Sequence, residues 1–512
     1  MKAPSKRKLT TALAAAALTA PLLLAASGPA SAKQSPQARA EKLARKLVKA
    51  SSAKDAFRHL KQFQAIADSS GGHRAAGSLG HDASAAYVYK QLKSLGYQVS
   101  YDEFEFVYTE TLTEKLSVVT PAPRDVPIKL MTYTASTPVG GITGTVAAVP
   151  VDDTTGCTAD DYASGDFTGK IALIQRGGCT FAEKQAAAAD AGAIGAIIYN
   201  NIDGELNGTI GDPNAGRIPT GGITKADGEA LAADVAKGEV TVNLEIREFR
   251  ENRTTRNVIA ETKGGDADNV VMFGAHLDGV AEGPGINDNG SGSAGLLEVA
   301  RELAKAEKKP TNKVRFAWWS AEEFGLLGSE DYVANLTDDQ KQRIKLYLNF
   351  DMIASPNYGL FVYDGDDSDG EGAGPGPEGS AQLEKQITDF LDSKGLPHEG
   401  TDFSGRSDYG PFIAVGIPSG GTFTGAEGIK TEEQAAKFGG TAGQAYDPCY
   451  HAKCDDIGNV SMKAFDANID VIANAVGRWA HDLGPLSKPV KTTSTKGTGS
   501  GGGLHDHAPV KE

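Results

Sequence analysis

The chain has 512 residues, 40% of them hydrophobic, and a formal net charge of −15. That length allows two or three domains with well-filled cores. The acidic balance argues against nucleic acid or an anionic membrane as a partner, because both are bound through clustered Lys and Arg.

Lys2, Lys6, Arg7 and Lys8 precede a mostly apolar run from Leu9 to Ala26, and Ala30-Ser31-Ala32 offers small residues for cleavage before Lys33. This is the layout of a secretory signal peptide over residues 1–32, so the expected localisation is secreted, outside the cell. No other stretch approaches the roughly 20 apolar residues that span a bilayer. Four cysteines in an exported chain suggest disulfides. Three pairings can be drawn for Cys157, Cys179, Cys449 and Cys454, and two local bridges, Cys157–Cys179 and Cys449–Cys454, are the simplest.

Residues 33–54 read as a loose, polar leader. From Asp55 to Leu95 the pattern is helical, broken by Ser69-Ser70-Gly71-Gly72, and Tyr97 to Phe106 alternates as a strand. A different texture, rich in Gly, Ala, Val and Ile, occupies 131–246, with short strands at Gly144–Val149 and Lys170–Gln175. Alternating β and α then return. Asn269–Gly274, Val314–Trp319 and Leu346–Phe350 read as buried strands, and Ser293–Ala306 as an amphipathic helix. Such alternation predicts an α/β fold, a mostly parallel mixed sheet covered by helices on both faces. Residues 365–380 read as an acidic Gly/Pro loop, flexible and solvated, with calcium binding as the alternative, and 485–512 as a low-complexity tail containing His505 and His507.

Ligands of open α/β sheets gather beyond the carboxyl ends of the strands. After Asn269–Gly274 come His276 and Asp278, and the loop before the next helix carries Asp288. After Val314–Trp319 come Glu322 and Glu323; after Leu346–Phe350 comes Asp351. So many carboxylates on one rim would repel unless a divalent cation sat among them, and zinc accepts imidazole and carboxylate alike.

Two stretches resemble known families. G-K-I-A-L-I-Q-R-G-G-C-T-F-A-E-K (169–184) and A-G-A-I-G-A-I-I-Y-N-N (191–201) resemble the protease-associated (PA) domain, a small β-rich α/β module inserted in exported peptidases. H-L-D, N-D-N-G-S-G, S-A-E-E-F-G, N-F-D-M-I and D-P-C-Y-H-A-K-C-D together resemble the secreted two-zinc aminopeptidases of bacteria, over about 55–125 and 250–484. That resemblance implies a zinc-exopeptidase fold over 55–130 and 247–484, interrupted by a PA insert at 131–246.

The same resemblance implies the site. Asp288 would bridge two zinc ions, His276 and Asp351 would complete one, and Glu323 and His451 the other. Asp278 would orient His276, Glu322 would be the general base, and Tyr450 would support the oxyanion, on a loop closed by Cys449 and Cys454. Arg406 and Phe423 fall in segments resembling the substrate pocket, with Phe423 lining a site for an apolar side chain. Asp466 and Asp470, spaced i, i+4, match a family calcium site whose third aspartate is replaced here by Ala50. The implied activity is release of amino-terminal, apolar residues from peptides and proteins, with the PA insert gating access or binding partners. Two rivals share the fold: a single-zinc glutaminyl-peptide cyclotransferase, distinguished by zinc count, and a non-catalytic peptide-binding protein, which would have lost ligands.

Overall fold

The computed structural model describes residues 34–370 and 374–490, together with Met1 and Gly372. The signal segment 2–32 and the tail beyond Val490, with His505 and His507, lie outside the described residues. No helix among the described residues is long and apolar enough to cross a membrane.

The strand Asp266–His276 lies between two parallel neighbours, Asn312–Trp319 and Ile344–Phe350, and the second of these is parallel to Ser419–Phe423. Antiparallel strands flank this group, Thr241–Glu261 on one side and Phe361–Tyr363 on the other. The sheet is therefore mixed with a parallel centre, as the alternation of elements predicts. Both faces are buried, and the side chains alternate between them. Val271, Phe273 and Ala275 join one core with helices Ala53–Ser69, Gly292–Ala306 and Met462–Trp479. Val270 and Met272 join the opposite core with Trp319, Val333 and Phe412. Burying each such apolar side chain contributes roughly 1.5–3 kcal/mol. A two-sided core explains why these strands read as continuous apolar runs.

Two long strands, Gln98–Thr120 and Thr241–Glu261, pair antiparallel along almost their full length. The carboxyl end of Thr241–Glu261 joins the main sheet, and its amino end pairs with Ile142–Ala148. Beyond Ile142–Ala148 lie Ile171–Gln175, Gly195–Tyr199 and Thr220–Ile223, each parallel to the one before. This small α/β unit has its own core, including Leu173, Ile197, Leu231 and Leu244. The ribbon adds Leu116 and Val118 to that core, so it belongs to both units. The strand expected over Tyr97–Phe106 thus runs on to Thr120. Its middle, Glu110 to Leu112, is exposed where the ribbon passes between cores. There the alternation fades at a bulge, Leu112, and the backbone pairing resumes on either side of it.

The leader differs from expectation. Pro36–Ala50 is a helix, not a loose segment, and buries Ala40, Leu43, Ala44 and Leu47. Those positions, i, i+3, i+4 and i+7, form one helical face. The face packs on Met462–Trp479 at Gly477, where a Cβ would come within 2.4 Å of the Ala44 backbone. The disulfides are the two local ones, Cys157–Cys179 and Cys449–Cys454.

Candidate metal centre

Each strand of the parallel centre ends in a loop that delivers polar side chains to one place. His276 is the last residue of Asp266–His276, and Asp351 immediately follows Ile344–Phe350. Glu322 and Glu323 follow Asn312–Trp319, and Asp288 lies in the turn Ile286–Ser291 ahead of helix Gly292–Ala306. His451 arrives from the loop closed by Cys449 and Cys454. Three of these loops hold a residue in the left-handed region beside a site residue: Ala321 (φ 56°), Met352 (φ 45°) and His451 itself (φ 52°). For non-glycine residues that conformation costs about 1–2 kcal/mol each, and it persists where the surroundings over-determine it.

The donors converge. His276 Nε2 lies 3.2 Å from both Asp288 Oδ1 and Asp351 Oδ1, and 4.0 Å from Glu322 Oε2. His451 Nε2 lies 3.3 Å from Asp288 Oδ2 and 3.0 Å from Glu323 Oε2. The two oxygens of Asp288 thus face two different histidines. Ligand atoms of His276, Asp288 and Glu323 fall within 4.8 Å of one another, as do those of His276, Glu322 and Asp351. Glu323 Oε1 and Asp278 Oδ2 are buried without a hydrogen-bond partner. Buried, unpartnered carboxylate oxygens are costly unless a cation neutralises them. The residues therefore fit zinc, which takes this donor set.

Electrostatics follow from that crowding. Burial pushes the Glu322 carboxyl well above the usual range, and Asp351, Glu323 and Asp408 push it further. Burial and then Asp288 raise Glu323. Burial would also raise Asp288, but hydrogen bonds from His276 and His451 outweigh it and hold Asp288 low. Burial favours neutral imidazole at His276 and His451, yet the facing carboxylates win and raise both pKa values well above the ordinary one. The pocket favours positive charge.

Side chains around the donors hold them in place. The asparagines flanking Asp288 bind neighbouring loops: Asn289 Nδ2 donates to Phe350 O at 2.9 Å, and Asn287 Nδ2 to Asp447 Oδ2 at 2.6 Å. Asp455 accepts the backbone N–H groups of Asn287 and Asp288 at 2.8 and 3.0 Å. Ser407 Oγ donates to Asp351 Oδ2 at 2.6 Å. Asp278 lies 3.7 Å from His276 Nδ1, longer than a hydrogen bond, and accepts the Glu322 N–H at 3.4 Å. Asp447 and Asp455 open and close the D-P-C-Y-H-A-K-C-D motif, and that position was their sequence signal. Ser407 and Asp408 had none beyond lying in the Arg406 segment.

Arg406 donates to Glu427 at 2.8 Å and to the Tyr450 hydroxyl at 3.2 Å, so it reaches the same centre. Tyr450 stacks on His451 with ring centroids 3.9 Å apart. Phe423 ends its strand half-buried, 6.3 Å from the Phe361 ring. Asp466 and Asp470 lie elsewhere. Asp466 accepts the Ala53 N–H at the start of a helix, and Asp470 pairs with Lys394 at 2.9 Å.

A mixed α/β sheet whose strand-end loops, with the loop closed by Cys449 and Cys454, bring two histidines and several carboxylates together defines a metal-dependent enzyme. Residues 257–476 match peptidase family M28, and residues 142–231 match the PA domain. Leucine aminopeptidase 2 of Arthroderma otae is 46% identical over 442 residues, covering 86% of this chain and 87% of its own. Leucine aminopeptidase 2 of Trichophyton equinum is 47% identical over 411 residues, 80% of each chain. Among solved structures, an aminopeptidase from Aneurinibacillus sp. strain AM-1 superposes with a TM-score of 0.70 at 30% identity, over 88% of this chain and 98% of its own. A zinc aminopeptidase from Bacillus subtilis does so with a TM-score of 0.58 at 28% identity, over 83% and 94%. The chain belongs to peptidase family M28, carries an inserted PA domain, and is a metallo-aminopeptidase. These curated relatives are fungal, so the likeness is not confined to the bacterial enzymes.

Proposed function

We propose that this metallo-aminopeptidase acts outside the cell with two zinc ions bridged by Asp288, releasing apolar residues from the amino ends of peptides and proteins. The observation that carries this reading is the division of Asp288, one oxygen facing His276 and the other His451. His276 and Asp351 would complete one ion, and Glu323 and His451 the other. Bound zinc supplies a Lewis acid and makes water acidic enough to serve as a nucleophile near neutral pH.

The remaining work falls to side chains. Glu322 is the general base: it takes the proton of the attacking water and delivers it to the leaving amine. Burial raises its proton affinity, which suits a group that must both accept and return a proton. Tyr450, held by Arg406, donates its hydroxyl to the carbonyl oxygen as charge develops there. Asp278 faces the far ring nitrogen of His276 at 3.7 Å and would orient the ring by closing that gap to a hydrogen bond. Phe423 walls an apolar pocket for the first side chain, and the leucine in the relatives' names supports that preference. Export is supported by the basic-then-apolar amino-terminal sequence. We retain 131–246 as the insert, gating long substrates, between the two parts of the peptidase domain at 55–130 and 247–484. Calcium at Asp466 and Asp470 would have to displace Lys394, so zinc is the metal of this reading.

The test compares Glu322→Gln with Glu323→Gln, using an unblocked and an N-acetylated peptide with and without chelator. Glu322→Gln should retain two zinc ions and lose roughly 10²–10⁴-fold in rate. Glu323→Gln should bind metal weakly and recover partly on added zinc. Only the unblocked peptide should be shortened. Loss of zinc from Glu322→Gln, or full retention by Glu323→Gln, would reverse the two roles. A single zinc with cyclisation of amino-terminal glutamine would replace the reading altogether.

A further inference from the structure

Arg74 lies in the turn between helices Ala53–Ser69 and Leu79–Leu95, and its side chain is completely buried. A buried guanidinium is ordinarily matched by a carboxylate. Among the described residues, none forms an ion pair with Arg74 within 4.0 Å. Its donors go to three backbone carbonyls instead. Nε donates to Pro284 O at 2.9 Å, Nη1 to Leu277 O and Nη2 to Gly285 O. The guanidinium carbon sits 5.1 Å from the centre of the Phe63 ring.

The three acceptors belong to the loops of the metal centre. Leu277 stands between His276 and Asp278, and Pro284 and Gly285 lead into Asp288. Backbone encloses the guanidinium on the same side: a Cβ added at Gly285 or Gly290 would come within 3.2 or 3.6 Å of Nη2. Burial lowers the Arg74 pKa to about 10, against the raising effect of Asp278, Asp455, Asp288 and Glu323, so it stays charged at neutral pH.

We propose that Arg74 is a positioning residue that ties the loop of His276 to the loop of Asp288 and sets a permanent positive charge behind the carboxylates. The inference rests on the zinc reading above. Only arginine has a planar fork that can bind carbonyls from both loops at once; the lysine ammonium is a compact charge on a flexible stem. Outer groups that orient metal ligands typically matter 10–100-fold in metal affinity.

The test uses the full chain with Arg74→Lys and Arg74→Met. Zinc affinity is measured by competition with a chromophoric chelator, folding by thermal melts of the metal-free proteins, and kcat and KM at saturating zinc. Arg74→Lys should melt close to the parent when metal-free, yet bind zinc roughly 10–100-fold more weakly, with kcat reduced and KM little changed. Arg74→Met, which loses the tie but also a positive charge that repels the cation, should bind zinc no more weakly than Arg74→Lys. Parental zinc affinity and kcat in Arg74→Lys would overturn the inference. Failure of both variants to fold without metal would do the same, by making Arg74 a residue of the fold instead of the site. A parent chain that binds no zinc would overturn the proposed function itself.

Discussion

Because arginine only donates, the Arg406–Tyr450 contact makes the phenol oxygen the acceptor and leaves the phenol's own proton to point elsewhere. Burial raises the Tyr450 pKa well above the ordinary value, although Arg406 opposes this, so the hydroxyl keeps its proton at working pH. A neutral, oriented donor suits an oxygen that gains charge only in the transition state. Tyr450→Phe should therefore lower kcat by roughly 10²–10³-fold and leave KM and zinc content nearly unchanged. Steady-state kinetics with metal analysis will check this; an equal rise in KM with constant kcat would make Tyr450 a substrate-binding group only. Glu322 and Glu323 illustrate the same discrimination. They are neighbours in sequence, yet the Glu323 oxygen lies 3.0 Å from the His451 ring nitrogen, whereas the Glu322 oxygen stands 4.0 Å from that of His276.

At the scale of elements, residues 364–369, where the acidic loop leaves Phe361–Tyr363, are tied down by hydrogen bonds. Asp364 accepts backbone N–H groups from Asp366, Ser368 and Asp369, and Glu384 on helix Ser380–Ser393 accepts that of Gly365 at 2.9 Å. Burial, with Asp364 and Asp366 nearby, raises the Glu384 pKa to about 7. In the unfolded chain it is about 4.3. The folded state then binds the proton more tightly, so this group's contribution to stability falls as pH rises from about 4 to about 7 and is constant above. Glu384→Gln keeps an acceptor oxygen for Gly365 but has no titrating group. The melting temperature of Glu384→Gln minus that of the parent should grow more positive between pH 5 and pH 8. A difference independent of pH would refute the assignment.

The whole molecule is two units on one ribbon, each with its own core clusters. Those of the PA unit and those of the peptidase sheet are distinct and joined through Gln98–Thr120 and Thr241–Glu261. Thr111 and Glu248 are direct partners across that ribbon. Replacing 112–247 by a tight turn should close the hairpin there and keep every donor of the metal centre. Turnover of small amino-acyl amides should survive in this variant, while the rate profile against peptide length should change. A folded, zinc-loaded variant without small-substrate turnover would make the PA unit part of the catalytic machinery.

The sequence by itself determined the alternation of elements, the parallel centre of the sheet and the polar residues at its strand ends, because local period and turn chemistry encode these directly. The five proposed ligands were legible as residue types, the structure brings their side chains together, and the flanking cysteines already pointed to a constrained loop. Three features became visible only in the tertiary structure. Helix Pro36–Ala50 carries its apolar stripe of Ala40, Leu43, Ala44 and Leu47 among many Arg and Lys on its other faces, and what the stripe packs on emerges only where Gly477 lets Ala44 approach. Glu110–Leu112 carries no alternation, since the backbone pairing runs there into a bulge at Leu112 where no core selects the side chains. Arg74 lies about 200 residues from the carbonyls it binds, and backbone acceptors leave no side-chain signature in a sequence.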